Sequence, residues 1–309
     1  MVVRLLVPLV SDERTAMRIF FFLSFLLASP FAWAGETKRA EETFIPNFSI
    51  GGFGFTQMGE ADFADGRGSL QRREAEASGN VPVFMRDHLR LLAGIDYRWT
   101  GFETFGTGLP LDGDQLNLHS IQVPFNLWAD LNERWKLWVR LQPGLQSDLE
   151  SIGDEDFILM SLALLSYQYN DWLTLAFGGF YSRDLGQERL LPAIGAILRS
   201  DPHWSLALTF PRLEFAYAPN EDWLVTARAV LSGGGWNISD PLGGPDVNLY
   251  YKAVRAGLGL EHRVTGPLWL YGDAGIEFAQ EMEIEGSSYD FTSDLEPSPF
   301  VSAGARLRF

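Results

Sequence analysis

The stretch "VSAGARLRF", residues 301–309, ends on an aromatic ring. Val301, Ala303, Ala305, Leu307 and Phe309 fall on one face of an extended strand, and Ser302, Gly304, Arg306 and Arg308 fall on the other. Side chains alternate across a strand, so this is a ribbon with one apolar and one polar face. A soluble sandwich could bury such a ribbon. The rest of the chain decides which medium meets the apolar side.

Alternation of the same kind runs through the sequence. In 89–99, Leu89, Leu91, Ala93, Ile95, Tyr97 and Trp99 oppose Arg90, Gly94, Asp96 and Arg98. In 120–129, Ile121, Val123, Phe125, Leu127 and Ala129 oppose Ser120, Gln122 and Asn126. In 268–279, Leu268, Leu270, Ala274, Ile276 and Phe278 oppose Tyr271, Asp273, Gly275 and Glu277. A polar turn followed by tryptophan recurs as "NERWKLWVRL" (132–141), "NDWLTLAFGG" (170–179), "DPHWSLALTF" (201–210) and "NEDWLVTARA" (220–229), and more loosely as "TGPLWLYGDAG" (265–275). Asn, Asp, Gly and Pro supply the tight reversals of hairpins. The segments between turns run about 10–14 residues, enough for a tilted strand to cross a bilayer. Longer connections at 58–68, 101–114, 148–155, 184–189, 236–247 and 283–297 alternate with the short turns.

Short turns on one rim and long loops on the other describe a transmembrane barrel, in which apolar faces meet lipid and polar faces meet the lumen. Closure also removes the unprotected edges that an open sheet would carry. The expected fold is therefore an all-β, closed antiparallel transmembrane β-barrel of 12–14 strands over 48–309. Twelve full crossings are expected at 48–57, 69–82, 88–99, 115–130, 134–147, 156–169, 172–183, 190–199, 223–235, 248–263, 267–282 and 299–309. Segment 204–218 lies between two turns of the same kind and carries Pro211 near its middle, which would break a ladder hydrogen bond. Two short strands, 204–210 and 212–218, would give fourteen; a small hairpin set into the wall or lumen would leave twelve. Trp135, Trp172, Trp204, Trp223 and Trp269 follow the turns, where an interfacial aromatic girdle belongs.

Composition bounds the partners. The chain has 309 residues, no cysteine, 31 glycines and a formal charge of −16. Phosphate binding needs a basic footprint, so nucleic acid is a poor partner. Without cysteine there is neither a disulfide scaffold nor a lipid-anchored thiol. An apolar run from Ile19 follows Arg18 and ends Ala32-Trp33-Ala34, the pattern of a secretory signal peptide cut near Ala34. Residues 1–16 match no targeting pattern, and Met17 reads as the start. The expected layout is 1–34 as extension and leader, 35–47 as a periplasmic segment, then the barrel.

The stretch "SRDLGQERLLPAIGAILRSDPHWSLALTFPRLEFAYAPNEDW" (182–223), with "LALLSYQYN" (162–170) before it, resembles a family of bacterial outer-membrane β-barrel proteins catalogued as a domain of unknown function. "DHLRLLAGIDYRWTGFE" (87–103) resembles its earlier hairpin strand, and the similarity spans 46–309. The resemblance implies a fold and an outer-membrane location, with no catalytic residues to carry over. It further implies that the last strand, through Phe309 and Leu307, is the signal read by the barrel-assembly machinery. Lipid and lipopolysaccharide are the expected surroundings, and the sequence leaves the oligomeric state open.

No catalytic constellation, metal site or cofactor site emerges. His119 and Ser120 are adjacent in a strand and point to opposite faces, so they cannot form the hydrogen-bonded pair of a lipid hydrolase. His88, His203 and His262 lie at or near strand ends. The acidic loop 147–157 holds Asp148, Glu150, Asp154, Glu155 and Asp156, but its spacing matches no defined ion loop. "SGGGW" (232–236) follows a strand and opens no helix, so it is no phosphate cradle. The lumen candidates are Arg90, Asp96, Arg98, Arg140, Arg228, Arg255, Glu261, Asp273 and Glu277, because charge facing hydrocarbon costs about 2–4 kcal/mol per Arg near the midplane. Spaced apart, they would line a pore; interlocked, they would fill it. The expected role is a passive porin-like or transporter-like channel, with a plugged structural or interaction barrel as the alternative and a lipid-modifying enzyme third.

Overall fold

The structure, a computed structural model, describes residues 49–308 apart from 109–112, 114, 183–188, 211, 241 and 287–289. The leader, segment 35–47, Pro211 and Phe309 lie outside the described residues.

The described residues make fourteen crossings. They are β1 (Ser49–Met58, continued by Ala61–Asp62), β2 (Ser69–Arg86), β3 (Leu89–Phe105) and β4 (Gln115–Gln122 and Phe125–Asp130). Next come β5 (Trp135–Ser147), β6 (Phe157–Gln168), β7 (Leu173–Ser182), β8 (Arg189–Asp201), β9 (Trp204–Thr209) and β10 (Arg212–Asn220). The last are β11 (Trp223–Ile238), β12 (Val247–Thr265), β13 (Leu268–Glu285) and β14 (Phe291–Leu295 and Ser298–Arg308). Each pairs antiparallel with the next, and β1 closes on β14 from Ser49↔Arg308 to Met58↔Phe300. The short hairpin is a full part of the wall: β9 pairs with β8, β10 with β11, and Leu208 stands opposite Leu213. Fourteen is thus the count, and the twelve-strand alternative falls.

The recurring turn motif has a local cause. Asn132 accepts hydrogen bonds from the N–H groups of Arg134 and Trp135 at 2.9 and 3.0 Å, and Asn170 does the same for Trp172 and Leu173 at 3.1 and 2.8 Å. Asp201 accepts from the His203 N–H at 2.8 Å and Asn220 from the Asp222 N–H at 3.0 Å. Each side chain mimics a backbone turn and starts the next strand.

The apolar faces point out. On β13, Leu270 and Ile276 are 51% and 46% exposed, whereas Glu277 on the inward face is fully buried. A non-glycine bulge at Ala279 (φ 51°) sets two residues of β13 against one of β12 and shifts the alternation, turning Gln280, Met282 and Ile284 inward.

Toward the long loops the inner faces of opposite walls meet. Phe102 of β3 packs against Trp236 of β11 and Tyr251 of β12, with ring centroids 5.9 and 5.6 Å apart, inside an apolar core that includes Leu118, Leu249 and Met282. Asn237 of β11 bridges Ser147 of β5, although five strands separate them in the wall. The barrel is pinched there. The acidic loop after β5 completes the pinch: the Ser239 N–H donates to Asp148 at 2.8 Å and the Ser151 hydroxyl to Asp246 at 2.9 Å. Buried Asp156 accepts the Gly153 N–H at 2.7 Å. These acids fasten loops, and among the described residues no group of three or more His, Asp or Glu is gathered for a metal ion.

The closing seam offers a test. A Cβ on Gly304 would lie 2.2 Å from the Phe53 carbonyl oxygen and 2.6 Å from the Tyr271 ring, whereas one on outward-facing Gly272 meets nothing nearer than 3.8 Å. Gly304→Val is expected to lose the compact, heat-modifiable band of a folded barrel on unheated gels, since overpacking costs ~1–3 kcal/mol or more. Gly272→Ala is expected to keep it.

Candidate functional site

The inner wall carries the polar chemistry, and the structure puts all nine lumen candidates on it, in distinct groups. Glu277 of β13 takes Arg72 Nη2 at 2.5 Å, Arg255 Nε at 3.0 Å and the Tyr251 hydroxyl at 2.7 Å. Arg255 reaches on to Glu74 at 3.0 Å, and the Arg72 guanidinium lies 4.1 Å from the centre of the Tyr251 ring. Lower on the same wall, fully buried Glu261 takes Arg306 Nη1 at 2.8 Å, Arg308 Nε at 2.7 Å and Arg228 Nη2 at 3.5 Å. Arg228 also meets Asp273 at 3.0 Å, and Arg306 stacks on Tyr271 at 3.8 Å. A third group sits on the opposite wall, where Arg140 meets Asp96 at 2.9 Å and Gln142 at 2.6 Å. Arg90 pairs with Asp130 at 3.1 Å. Arg98 makes no side-chain hydrogen bond or ion pair among the described residues.

Interlocked charge therefore fills one side of the lumen. A buried carboxylate shared by two arginines is tolerable because each charge is compensated and hydrogen-bonded; removing one partner strands the others. Arg72 and Glu74 are central to this network, and the consecutive charges of "QRREAE" (71–76) obscure their inward alternation.

The other side is different. The register rows run Arg140–Leu162–Phe180–Leu191 and Trp138–Leu164–Gly178–Ala193 across β5 to β8. Beyond Arg140 these inward positions are apolar, and Leu162, Leu164, Phe180 and Leu191 remain half-buried, with nothing packed over them to the extent seen in the core. Their outward neighbours, such as Leu159, Phe177, Leu190 and Ile194, are apolar and exposed as well. Because both faces are apolar, "FILMSLALL" (157–165) shows no alternation.

Of the tryptophans after turns, Trp135, Trp204 and Trp223 take outward strand positions at the short-turn rim, whereas Trp172 lies within the turn itself, one residue before β7 begins, and is not placed on the outward face. Trp135 packs on Tyr167 at 4.7 Å and Trp223 stacks on His262 at 4.2 Å. Trp269 does not join them. Leu268 takes the first outward position after the Gly266–Pro267 turn, so Trp269 falls on the inward face with Tyr271. There it is buried against Ala216, Ala218 and Leu224. Leu307 lies on the outward face at 38% exposure.

The histidines form no catalytic arrangement among the described residues. His119 faces out and hydrogen-bonds the Tyr97 hydroxyl at 3.0 Å, while Ser120 is buried inside, 3.5 Å from Gln146. His203 pairs with Asp201 at 2.8 Å, and His262 contacts the Asp222 carbonyl oxygen at 3.1 Å. His88 gives its carbonyl to the Asp130 N–H in the first short turn.

The chain belongs to the family described as Domain of unknown function (DUF6268), whose model matches residues 112–308. No curated protein matches it in sequence. Among solved structures it is similar to the COG4313 outer membrane channel from Pseudomonas putida F1, at 11% identity and a TM-score of 0.50, covering 89% of this chain and 100% of that one. It is also similar to a Pseudomonas aeruginosa FadL homologue (10% identity, TM-score 0.42, 84% and 89% of the two chains). A third is the Pseudomonas putida toluene transporter TodX (10% identity, TM-score 0.33, 90% and 94%). The first of these likenesses establishes the outer-membrane barrel fold.

The buried network predicts unequal mutational costs. Glu277→Ala leaves Arg72 and Arg255 with Glu74 as their one shared carboxylate and strands the Tyr251 hydroxyl, and it should cost about 3–5 kcal/mol of unfolding free energy. Lys252→Ala, which removes a part-exposed pair with Glu281 at 2.9 Å, should cost ~1 kcal/mol or less. Denaturant unfolding in detergent, followed by far-UV circular dichroism, compares them; equal costs would refute the assignment.

Proposed function

We propose that this chain is an exported outer-membrane barrel that works as a passive channel for small molecules. The supporting observation is the unfilled half of the lumen. Ion pairs and an apolar core occupy the inner faces of β11–β14 and β2–β3, whereas inward Trp138, Leu162, Leu164, Phe180 and Leu191 of β5–β8 keep exposed surface that lipid cannot reach from outside. A fourteen-strand wall is wide enough to leave such space, where eight strands would be filled by their own side chains. The apolar run and A-x-A end near Ala34 support export, and the exposed outward apolar face supports residence in a bilayer.

In this reading the network around Glu277 and Glu261 is structural. It holds the packed half rigid and sets the shape of the remaining passage. Arg98, which makes no ion pair with a carboxylate among the described residues, is one of the charges that passing ions feel, with Arg90 and Lys136. The pinch at Ser147 and Asn237, with the Asp148 and Ser151 hydrogen bonds, narrows the passage at the long-loop end. The same pinch favours the second reading, a barrel closed at that end with a structural or interaction role. A lipid-modifying enzyme finds no support in the placement of His119 and Ser120 on opposite faces.

Conductance of purified protein in a planar bilayer separates the readings. A channel gives steady single-channel steps, and Arg98→Glu moves the reversal potential in a salt gradient toward cation preference. Silence at all voltages, in the native chain and in an Asp148→Ala variant, would contradict a channel. With the native chain conducting, Asp148→Ala is expected to raise the unitary current, because it removes one of the hydrogen bonds that tie the loops across the mouth.

A further inference from the structure

Trp128 of β4 and Trp138 of β5 stand opposite each other in the register and both point into the lumen. Their rings are parallel within 4°, with centroids 6.0 Å apart, and both indoles are half-buried. The Trp138 Nε1–H reaches Asn126 Oδ1 at 3.4 Å, whereas the Trp128 indole N–H has no partner among the described residues. In the next strand Leu164 stands opposite Trp138 and extends the apolar surface toward Ala193.

Charge flanks this platform. Arg90 stands opposite Trp128 in the register, and Lys136 precedes Trp138 by two residues on the same face. Both cations share a single carboxylate, Asp130, at 3.1 and 3.9 Å, and their side chains are 45% and 59% exposed. Elsewhere on the inner wall the arginines reach more than one carboxylate: Arg72 and Arg255 share both Glu74 and Glu277, and Arg228 meets Glu214, Glu261 and Asp273. The indole pair is therefore an aromatic surface beside an excess of positive charge, on the inner face of the wall and away from its lipid face.

A flat π-surface attracts another flat ring, and surplus cations attract a carboxylate through charge-assisted hydrogen bonds. We infer that Trp128 and Trp138, with Leu164, Arg90 and Lys136, form a lumen binding site for small aromatic carboxylates. The ring lies on the indoles, and the carboxylate turns to Arg90 and Lys136. This deepens the channel reading, since it rests on the lumen being open along β4–β8 and names the solute class that the passage holds.

The test uses 4-bromobenzoate, a water-soluble anion whose bromine quenches indole fluorescence, with the purified full-length protein in neutral lipid vesicles. The native chain should show saturable quenching. Trp128→Phe with Trp138→Phe should remove the saturable part and leave the weak linear background from the outward tryptophans. Lys136→Gln and Arg90→Gln should each raise the half-saturation concentration several-fold, and neutral 4-bromobenzyl alcohol should bind the native site as weakly as the acid binds those variants. Heat-modifiable gel mobility confirms that each variant is folded. Linear quenching in the native chain, or saturable quenching that survives the double tryptophan change, would overturn the assignment. Conductance without saturable quenching removes the site and leaves the channel; saturable quenching in a silent barrel keeps the site and removes the channel.

Discussion

Hydrocarbon offers no hydrogen-bond partner, so every backbone N–H and C=O that enters a bilayer must be satisfied by the chain itself. For strands this is possible only when the sheet closes on itself, and closure by β1 on β14 is the constraint on which the molecule depends. From it follow an even number of crossings, short turns that share a rim, and a strict division of each strand into a lipid face and a lumen face. The short hairpin of β9 and β10 is a consequence: without it the turns before Trp204 and Trp223 would fall on opposite rims.

The division of faces leaves the interior with the harder packing task. Apolar side chains go outward to lipid at no cost, but the inward polar set is too large to be solvated in a narrow lumen. The chain resolves this on one side by pairing charge. Glu277 and Glu261 are fully buried, yet each is surrounded by guanidinium groups whose aliphatic and π faces also pack on Tyr251, Tyr271 and Phe300. Stacked arginine is suited to this because its weakly hydrated plane can be desolvated over a ring while its edge holds carboxylates. On the other side, β6 to β8 carry few inward charges to pair, and inward Leu162, Leu164, Phe180 and Leu191 are left partly exposed. The result is a barrel with one densely packed side and one less filled side, bridged at the pinch between Ser147 and Asn237.

How much of this was legible in the sequence depends on range. Strand positions and short turns were, because alternation and an Asn or Asp that caps its own turn are local signals. The inward side of Arg228, Arg255, Asp273 and Glu277 followed from alternation alone. Trp269 was misplaced because its distance from the turn resembles that of Trp223, while the strand that follows Gly266–Pro267 starts one residue out of phase. The bulge at Ala279 left no mark, since nothing in "EFAQE" (277–281) announces a left-handed alanine. The pinch was invisible for another reason. It joins strands far apart in sequence through packing of Phe102 with Trp236 and Tyr251, which no single strand encodes.

Which medium touches the two faces of β13 decides whether the wall lies in a bilayer. Single spin labels at positions 268 to 277, in protein reconstituted into lipid vesicles, report accessibility to oxygen, which concentrates in hydrocarbon, and to a polar nickel reagent, which stays in water. Positions 270, 272, 274 and 276 should show high oxygen and low nickel access, while 271, 273, 275 and 277 show little oxygen access. Nickel access at 270, 272, 274 and 276 equal to that of a surface loop would contradict a lipid-facing wall.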